Sequence, residues 1–302
     1  MSAVSFIKLS KIFAGIIPEP TVVRLRPEQR IKSAVYFTSL ILIVLCCRSF
    51  VSAQIAISDQ DLADTVKAYK TTDPAQAVKI FQSKMPPVIS DGKKRAEIMQ
   101  NLPAEVQKLK INDQELENEV RKVITPALKL YGREDVYEIL IFRHKTPIMF
   151  SDTGVVIVVS TGMLERIQSD DEVLGYVLHE IGHEYYASYS IFSRHVLKLV
   201  LEGGKEEVLS RKMRETLAIV ELQSDSFAAL SLAYLHYNPI AFITGIEKIG
   251  IDFPTHGFGF HPPDATRRKL VEQILPTKYF QAKPQISLNL KTLKDLLEVN
   301  LM

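Results

Sequence analysis

Three residues near the middle of the chain have the types and the spacing of a metal-assisted hydrolytic site. His179 and His183 enclose Glu180 in the pattern His-Glu-x-x-His. In a helix, residues four apart project from one face, so both imidazoles can bind one zinc ion at about 2.0–2.1 Å. Glu180 is then placed as the general base that takes a proton from a zinc-bound water and passes it to a leaving amine. The competing interpretation is a helix with two surface histidines and a solvated glutamate.

A third ligand is predicted from a second motif, Glu221-x-x-x-Asp225, because catalytic zinc has three protein ligands and one open position. Glu221 and Asp225 share a helix face. Glu221 would complete the ligand set with His179 and His183, and Asp225 would accept a hydrogen bond from the outer N–H of a ligand histidine. The alternatives are two solvated acids, or Glu202 as the ligand, although Glu202 stands beside two glycines and has no Asp four residues on.

The residues around the first motif predict the helix that it needs. Ser169-x-x-Glu172 is a capping box, which starts a helix. The apolar residues that follow recur at helical spacing, namely Val173, Leu174, Val177, Leu178 and Ile181. Because the two histidines border this stripe, we expect them in a cleft, where Gly182 permits close approach of another backbone or of a substrate.

A small sheet is predicted ahead of this helix. The pattern gives strands at 136–142, 147–150 and 155–159, with a turn at 151–154. The strand just ahead of the helix in the chain could offer an open edge, to which an extended peptide would add and so lie across the metal. On this hypothesis Ser160, Thr161 and Gly162 contact the substrate.

The rest of the chain has mostly helical patterns. Helices are predicted between 57 and 130 with a break at residues 86–87, then at 163–167, 205–236, 240–249 and 290–297, with a loop at 252–260. We expect an α+β, mainly helical fold with a small sheet beside the histidine helix. Residues 54–130 would form a helical segment packed on a metal-binding domain at 131–302.

The first 53 residues have the layout of a secretory signal peptide, since a basic run at 24–32 precedes an apolar block at 33–47 and a small-residue site at 51–53. An uncleaved membrane anchor at 33–47 is the alternative, although fifteen residues are short for a span. We therefore expect an extracytoplasmic protein, located in the periplasm. Both cysteines lie in this leader, so zinc would be bound by histidine and carboxylate.

The leader also carries the basic charge of the chain. It holds seven of the 37 Lys and Arg residues and two of the 35 Asp and Glu residues, which leaves the remainder with net charge −3. No basic stripe is visible in that remainder, so a nucleic-acid partner is not expected. The oligomeric state is not predicted.

A last motif whose side chains could take part in catalysis is His261-Pro-Pro-x-x-x-Arg267. Both side chains can donate to an oxyanion as water attacks a peptide carbonyl. The alternative for His261 is an anchor of the surrounding loop.

Taken in order, these motifs resemble those of the zinc metalloendopeptidases that include HtpX, BepA and the CAAX prenyl protease, peptidase family M-forty-eight. The resemblance covers about 136–275 and includes Val-Ser-Thr-Gly-Met-Leu at 159–164. It implies a zincin-like core of the gluzincin type with one zinc ion. In such a core His179, His183 and Glu221 are ligands and Glu180 is the base. A departure is that residues 146–149 read Thr-Pro-Ile-Met, where the family often has Asn-Ala-Phe-Ala.

The resemblance further implies that Asp225 supports a ligand and that His261 and Arg267 lie near the substrate. The function expected is that of an exported zinc endopeptidase acting on polypeptides, in envelope protein quality control. The competing hypothesis is a metal-bearing chaperone or binding module with little proteolytic turnover.

Overall fold

The computed structural model describes residues 58–70, 73–152, 154–186, 206–252, 262 and 264–301, all within the unit Phe50–Met302. The predicted leader at 1–53, the alternative ligand Glu202, the loop at 253–260 and His261 lie outside the described residues. Among the helices of the described part, none is long and apolar enough to cross a membrane.

Helices make up most of the described chain. They are α1 (Asp59–Tyr69), α2 (Pro74–Lys84), α3 (Gly92–Gln100), α4 (Ala104–Lys108), α5 (Gln114–Leu130), α6 (Thr161–Arg166), α7 (Asp170–Tyr185), α8 (Glu206–Tyr234), α9 (Pro239–Asp252), α10 (Asp264–Ile274) and α11 (Leu288–Leu301), with a 3-10 turn at Thr277–Phe280. A mainly helical chain with a small sheet confirms the coarse α+β prediction.

The sheet has three strands, β1 (Glu138–Phe142), β2 (Met149–Asp152) and β3 (Val156–Ser160), in the order β1-β3-β2. β3 pairs in parallel with β1 and antiparallel with β2, so both of its edges are occupied. The prediction that β3, the strand just ahead of the histidine helix in the chain, offers an open edge is therefore wrong. β1 has a bridge and backbone hydrogen bonds to residues 109–111 on its other side, which leaves β2 as the edge strand.

The residues predicted to contact substrate at the end of β3 have structural partners instead. The Ser160 hydroxyl accepts from Met163 N at 3.1 Å and donates to Thr146 O at 2.7 Å, so it caps α6 and holds the preceding loop. Thr161 Oγ1 contacts the backbone of His144 at 3.2 Å. A Cβ on Gly162 would lie 2.1 Å from Lys145 O, so only glycine fits there. These residues fix the loop at 144–148 against α6.

Apolar residues cover both faces of the sheet. Along β3, Ile157 and Val159 face the main core, whereas Val156 and Val158 face a smaller cluster that includes Leu102 and Val106 from the α4 side. This alternation follows from the period of two in a strand. Residues of α1, α2 and α5 share the main core with α7 and α8, so the N-terminal helices pack on the two helices that carry the predicted ligands.

Helix α7 begins as the capping box predicts. The Ser169 hydroxyl accepts from Glu172 N at 3.3 Å, and the Glu172 carboxylate accepts from Gln168 N at 2.9 Å, one residue before the cap. Together these bonds satisfy two backbone donors at the helix start. Asp171 accepts from the backbone N–H groups of Asn238 and Gln285, each at 2.6 Å, and so ties the C-terminal part of the chain to the same helix end.

Candidate metal centre

Two helices, α7 and α8, meet at a glycine and bring the predicted ligands together. A Cβ on Gly182 would lie 3.0 Å from Ser224 Cα and 3.3 Å from Phe227 Cβ, so the missing side chain lets α8 lie directly against α7. Glu221 lies one turn before Ser224 on α8 and therefore reaches the face of α7 that carries His179 and His183.

The ligand atoms converge at the spacing that a tetrahedral zinc site requires. Nε2 of His179 lies 3.0 Å from Nε2 of His183, and the Glu221 carboxylate lies 3.2 Å from the first and 3.4 Å from the second. Ligands bound tetrahedrally at about 2.0–2.1 Å lie roughly 3.3 Å apart. The side chains of His179 and Glu221 are 8% and 12% exposed, and that of His183 is 24% exposed. The group is therefore mostly buried, and solvent reaches it on the side of His183. These residues fit a metal ion.

Glu180 belongs to the same group of potential ligands. His179, Glu180 and His183 each offer a donor atom within 4.8 Å of the others. The Glu180 carboxylate also accepts a hydrogen bond from Ser151 N at 2.9 Å, and the Ser151 hydroxyl donates to Glu180 O at 3.3 Å. Because Ser151 lies in β2, the edge strand fixes the position of the predicted base.

Asp225 lies behind His179, as predicted. Its Oδ1 is 2.9 Å from Nδ1 of His179, and it accepts from Arg267 Nε at 2.7 Å and from a terminal guanidinium nitrogen at 2.5 Å. Burial raises the pKa of Asp225, but the charge and hydrogen bonds of Arg267 outweigh burial and hold the pKa below its usual range. An ionised Asp225 only accepts, so Nδ1 of His179 carries the hydrogen and Nε2 faces the ligand group.

Arg267 forms an ion pair that the sequence did not predict. Its side chain is 6% exposed and makes two hydrogen bonds to Asp225, so it holds the carboxylate that orients His179. Its position on α10 also brings it within range of the charges of Glu221 and Asp264. His261, its proposed companion, lies outside the described residues.

Two carboxylates beside His179 favour a positive charge on its ring. Burial lowers the pKa of His179, but the hydrogen bonds and charges of Asp225 and Glu221 outweigh burial and raise it to about 10. In the metal-free protein the imidazole therefore holds a proton between two carboxylates. A divalent cation at Nε2 would replace that proton, which is the expected relation between proton and metal at a histidine ligand.

His183 has an outer partner that sequence reasoning missed. Ser224 Oγ lies 3.2 Å from Nδ1 of His183, and Ser224 is fully buried. Its position in the second motif, one residue before Asp225, was the available signal. Ser151 was also missed, because nothing in the sequence assigns a strand amide to a glutamate in a later helix.

In comparisons with known proteins, no protein-family model matches the chain and no curated protein matches it.

Proposed function

We propose that the protein is a zinc-dependent metalloendopeptidase. The observation that carries the proposal is the convergence of two imidazoles and one carboxylate at 3.0–3.4 Å beside the carboxylate of Glu180. A set of two histidines and a glutamate is typical of catalytic zinc, which keeps a fourth position open. On this proposal the fold is zincin-like and the protein resembles the family named above.

Each residue then has a defined task. His179, His183 and Glu221 hold the ion, while Asp225 and Ser224 orient the two imidazoles from behind. The bound ion would polarise the scissile carbonyl and make water acidic enough to attack at neutral pH. Glu180 takes the proton of the attacking water and delivers it to the leaving nitrogen.

The edge strand supports a polypeptide substrate. Ser151 N points away from β3, because it donates to Glu180. Alternate residues of a strand direct their backbone groups the same way, so Met149 also faces outward. An extended peptide that pairs with the backbone of Met149 would lie beside Glu180, whose carboxylate occupies Ser151 N. Recognition through backbone groups suits an endopeptidase that accepts many sequences.

The proposed setting follows from the leader. Residues 1–53 would direct export, so that the enzyme acts on envelope proteins in the periplasm, with retention of 33–47 as a membrane anchor as the alternative. N-terminal sequencing of the exported protein distinguishes the two.

Casein cleavage by the purified protein tests the activity. We expect cleavage that a chelator abolishes and added zinc restores, and Glu180→Gln should reduce turnover by roughly 10²–10⁴-fold while zinc still binds. Glu115→Gln, an exposed change of the same kind, is the matched control. Turnover that survives Glu180→Gln would rule out the proposed base. Zinc uptake without cleavage of any substrate would favour the binding-module hypothesis.

A further inference from the structure

A buried carboxylate, Glu184, follows directly on the ligand His183. Arg133 donates to it from Nε at 3.1 Å and from a terminal nitrogen at 2.6 Å, both to Oε1. The Tyr137 hydroxyl donates to Oε2 at 2.7 Å. The Arg133 and Glu184 side chains are 6% and 8% exposed, so this ion pair is buried.

The same cluster joins the end of α7 to two other parts of the chain. Arg133 also donates to Pro86 O at 2.7 Å, in the segment between α2 and α3. Gly154 lies against the carboxylate, since a Cβ there would be 2.8 Å from Cδ of Glu184, and its φ of +71° favours glycine. Gly154 follows β2, the strand whose Ser151 binds Glu180.

Stability alone is a weak reason for such a pair, because desolvation offsets much of the attraction between buried charges. Its position suggests another reason. Helix α7 ends at Tyr185, two residues after His183, and last turns of helices fray when their carbonyls have no partners. Fraying here would displace a ligand atom.

We propose that Arg133, Tyr137 and Glu184 are positioning residues that clamp the last turn of α7 and thereby fix His183 for metal binding. This inference rests on the proposed function. Through Gly154 the clamp also sets the distance between α7 and the edge strand, so one cluster aligns the ligand His183 with the base Glu180.

Zinc affinity of the metal-free full chain, measured by titration against a chelating indicator, tests the clamp. Glu184→Gln should weaken zinc binding about 10–100-fold, as changes behind metal ligands do, and Tyr137→Phe should weaken it less. The matched control is Asp170→Asn, a buried carboxylate at the other end of α7 that accepts from Ser287 N at 2.7 Å and from its hydroxyl at 2.9 Å. Asp170→Asn should leave the zinc affinity within about twofold of that of the unchanged protein.

Hydrogen exchange of the metal-free protein is the second readout. Glu184→Gln and Tyr137→Phe should speed exchange of the amides at 183–186 by about tenfold, whereas Asp170→Asn should not. Unchanged zinc affinity and unchanged exchange in a folded Tyr137→Phe protein would overturn the clamp. It would also be overturned if Asp170→Asn lost as much zinc affinity as Glu184→Gln. Failure of the unchanged protein to bind zinc would instead refute the proposed function, and exchange at 183–186 would still decide the clamp.

Discussion

The protonation of His179 depends on the two carboxylates that contact its ring. Its folded pKa of about 10 lies above the ordinary value of 6.5, so the proton stabilises the metal-free fold. The sign follows from linkage: this stabilisation is fully present below about pH 6.5 and is lost as the pH rises through about 10.

We therefore expect the free energy of unfolding of the metal-free protein to fall between pH 6.5 and pH 10. In His179→Gln the part of this fall that comes from the imidazole should be absent. Urea unfolding at several pH values measures this difference. A pH dependence that is the same with and without the imidazole would contradict the arrangement of Asp225 and Glu221 around it.

At the residue scale, the candidate ligands were easier to predict than their surroundings. Spacing of four in a helix puts His179 and His183 on one face, and Glu221 was predicted from a second motif because catalytic zinc has three protein ligands. The partner of Arg267 could not be predicted, because a motif seven residues long does not show whether its last member turns toward a substrate or toward a buried acid.

At the scale of elements, Gly182 sets how closely α7 and α8 approach. Gly182→Ala would bring a methyl group to 3.0 Å from the backbone of Ser224, which can yield only if α8 moves. We expect zinc affinity to fall about tenfold or more, because Glu221 moves with α8. Zinc titration measures the change.

Gly92→Ala is the control for that substitution, since a Cβ at Gly92 meets no atom within 4 Å at the start of α3. It should leave zinc affinity unchanged. Equal affinities in both variants would show that the spacing of α7 and α8 does not control the site.

Strand positions were predictable, whereas strand order was not. Runs of β-branched residues identify β3 without ambiguity. A second strand was predicted at 147–150, but β2 runs over Met149–Asp152, so the turn predicted to begin at Ser151 is wrong for its first two residues. Pairing partners depend on long-range packing, and the 144–148 loop carries β2 to the outer side of β3. The open edge of the sheet therefore lies along β2, at Met149 and Ser151, and not at the end of β3.

At the scale of the whole molecule, the N-terminal helices share a core with the helix that carries Glu221. Phe81 of α2 is 4% exposed, and its ring stacks on Phe227 of α8 with 4.5 Å between centroids. Phe227 lies less than two turns beyond Glu221. The helical pattern of 54–130 predicted packing on the core, but it could not identify the helix that receives Phe81.

We expect Phe81→Ala to lower the free energy of unfolding by about 3–5 kcal/mol, because it leaves a cavity in the shared core. Its neighbour Ile80 is 39% exposed, so Ile80→Ala should change stability by about 0.5 kcal/mol or less. Urea unfolding followed by circular dichroism compares the two. If the two substitutions had equal effects, the N-terminal helices would not share a core with α8.

The central claim, that two imidazoles and the carboxylate of Glu221 hold one zinc ion, is tested most directly by titrating zinc into the metal-free protein. The account predicts about one ion per chain, an affinity reduced by roughly 100-fold or more in Glu221→Ala, and little change in Glu180→Gln. Protein that takes up no zinc, or Glu221→Ala that binds it as tightly as the unchanged chain, would contradict the account.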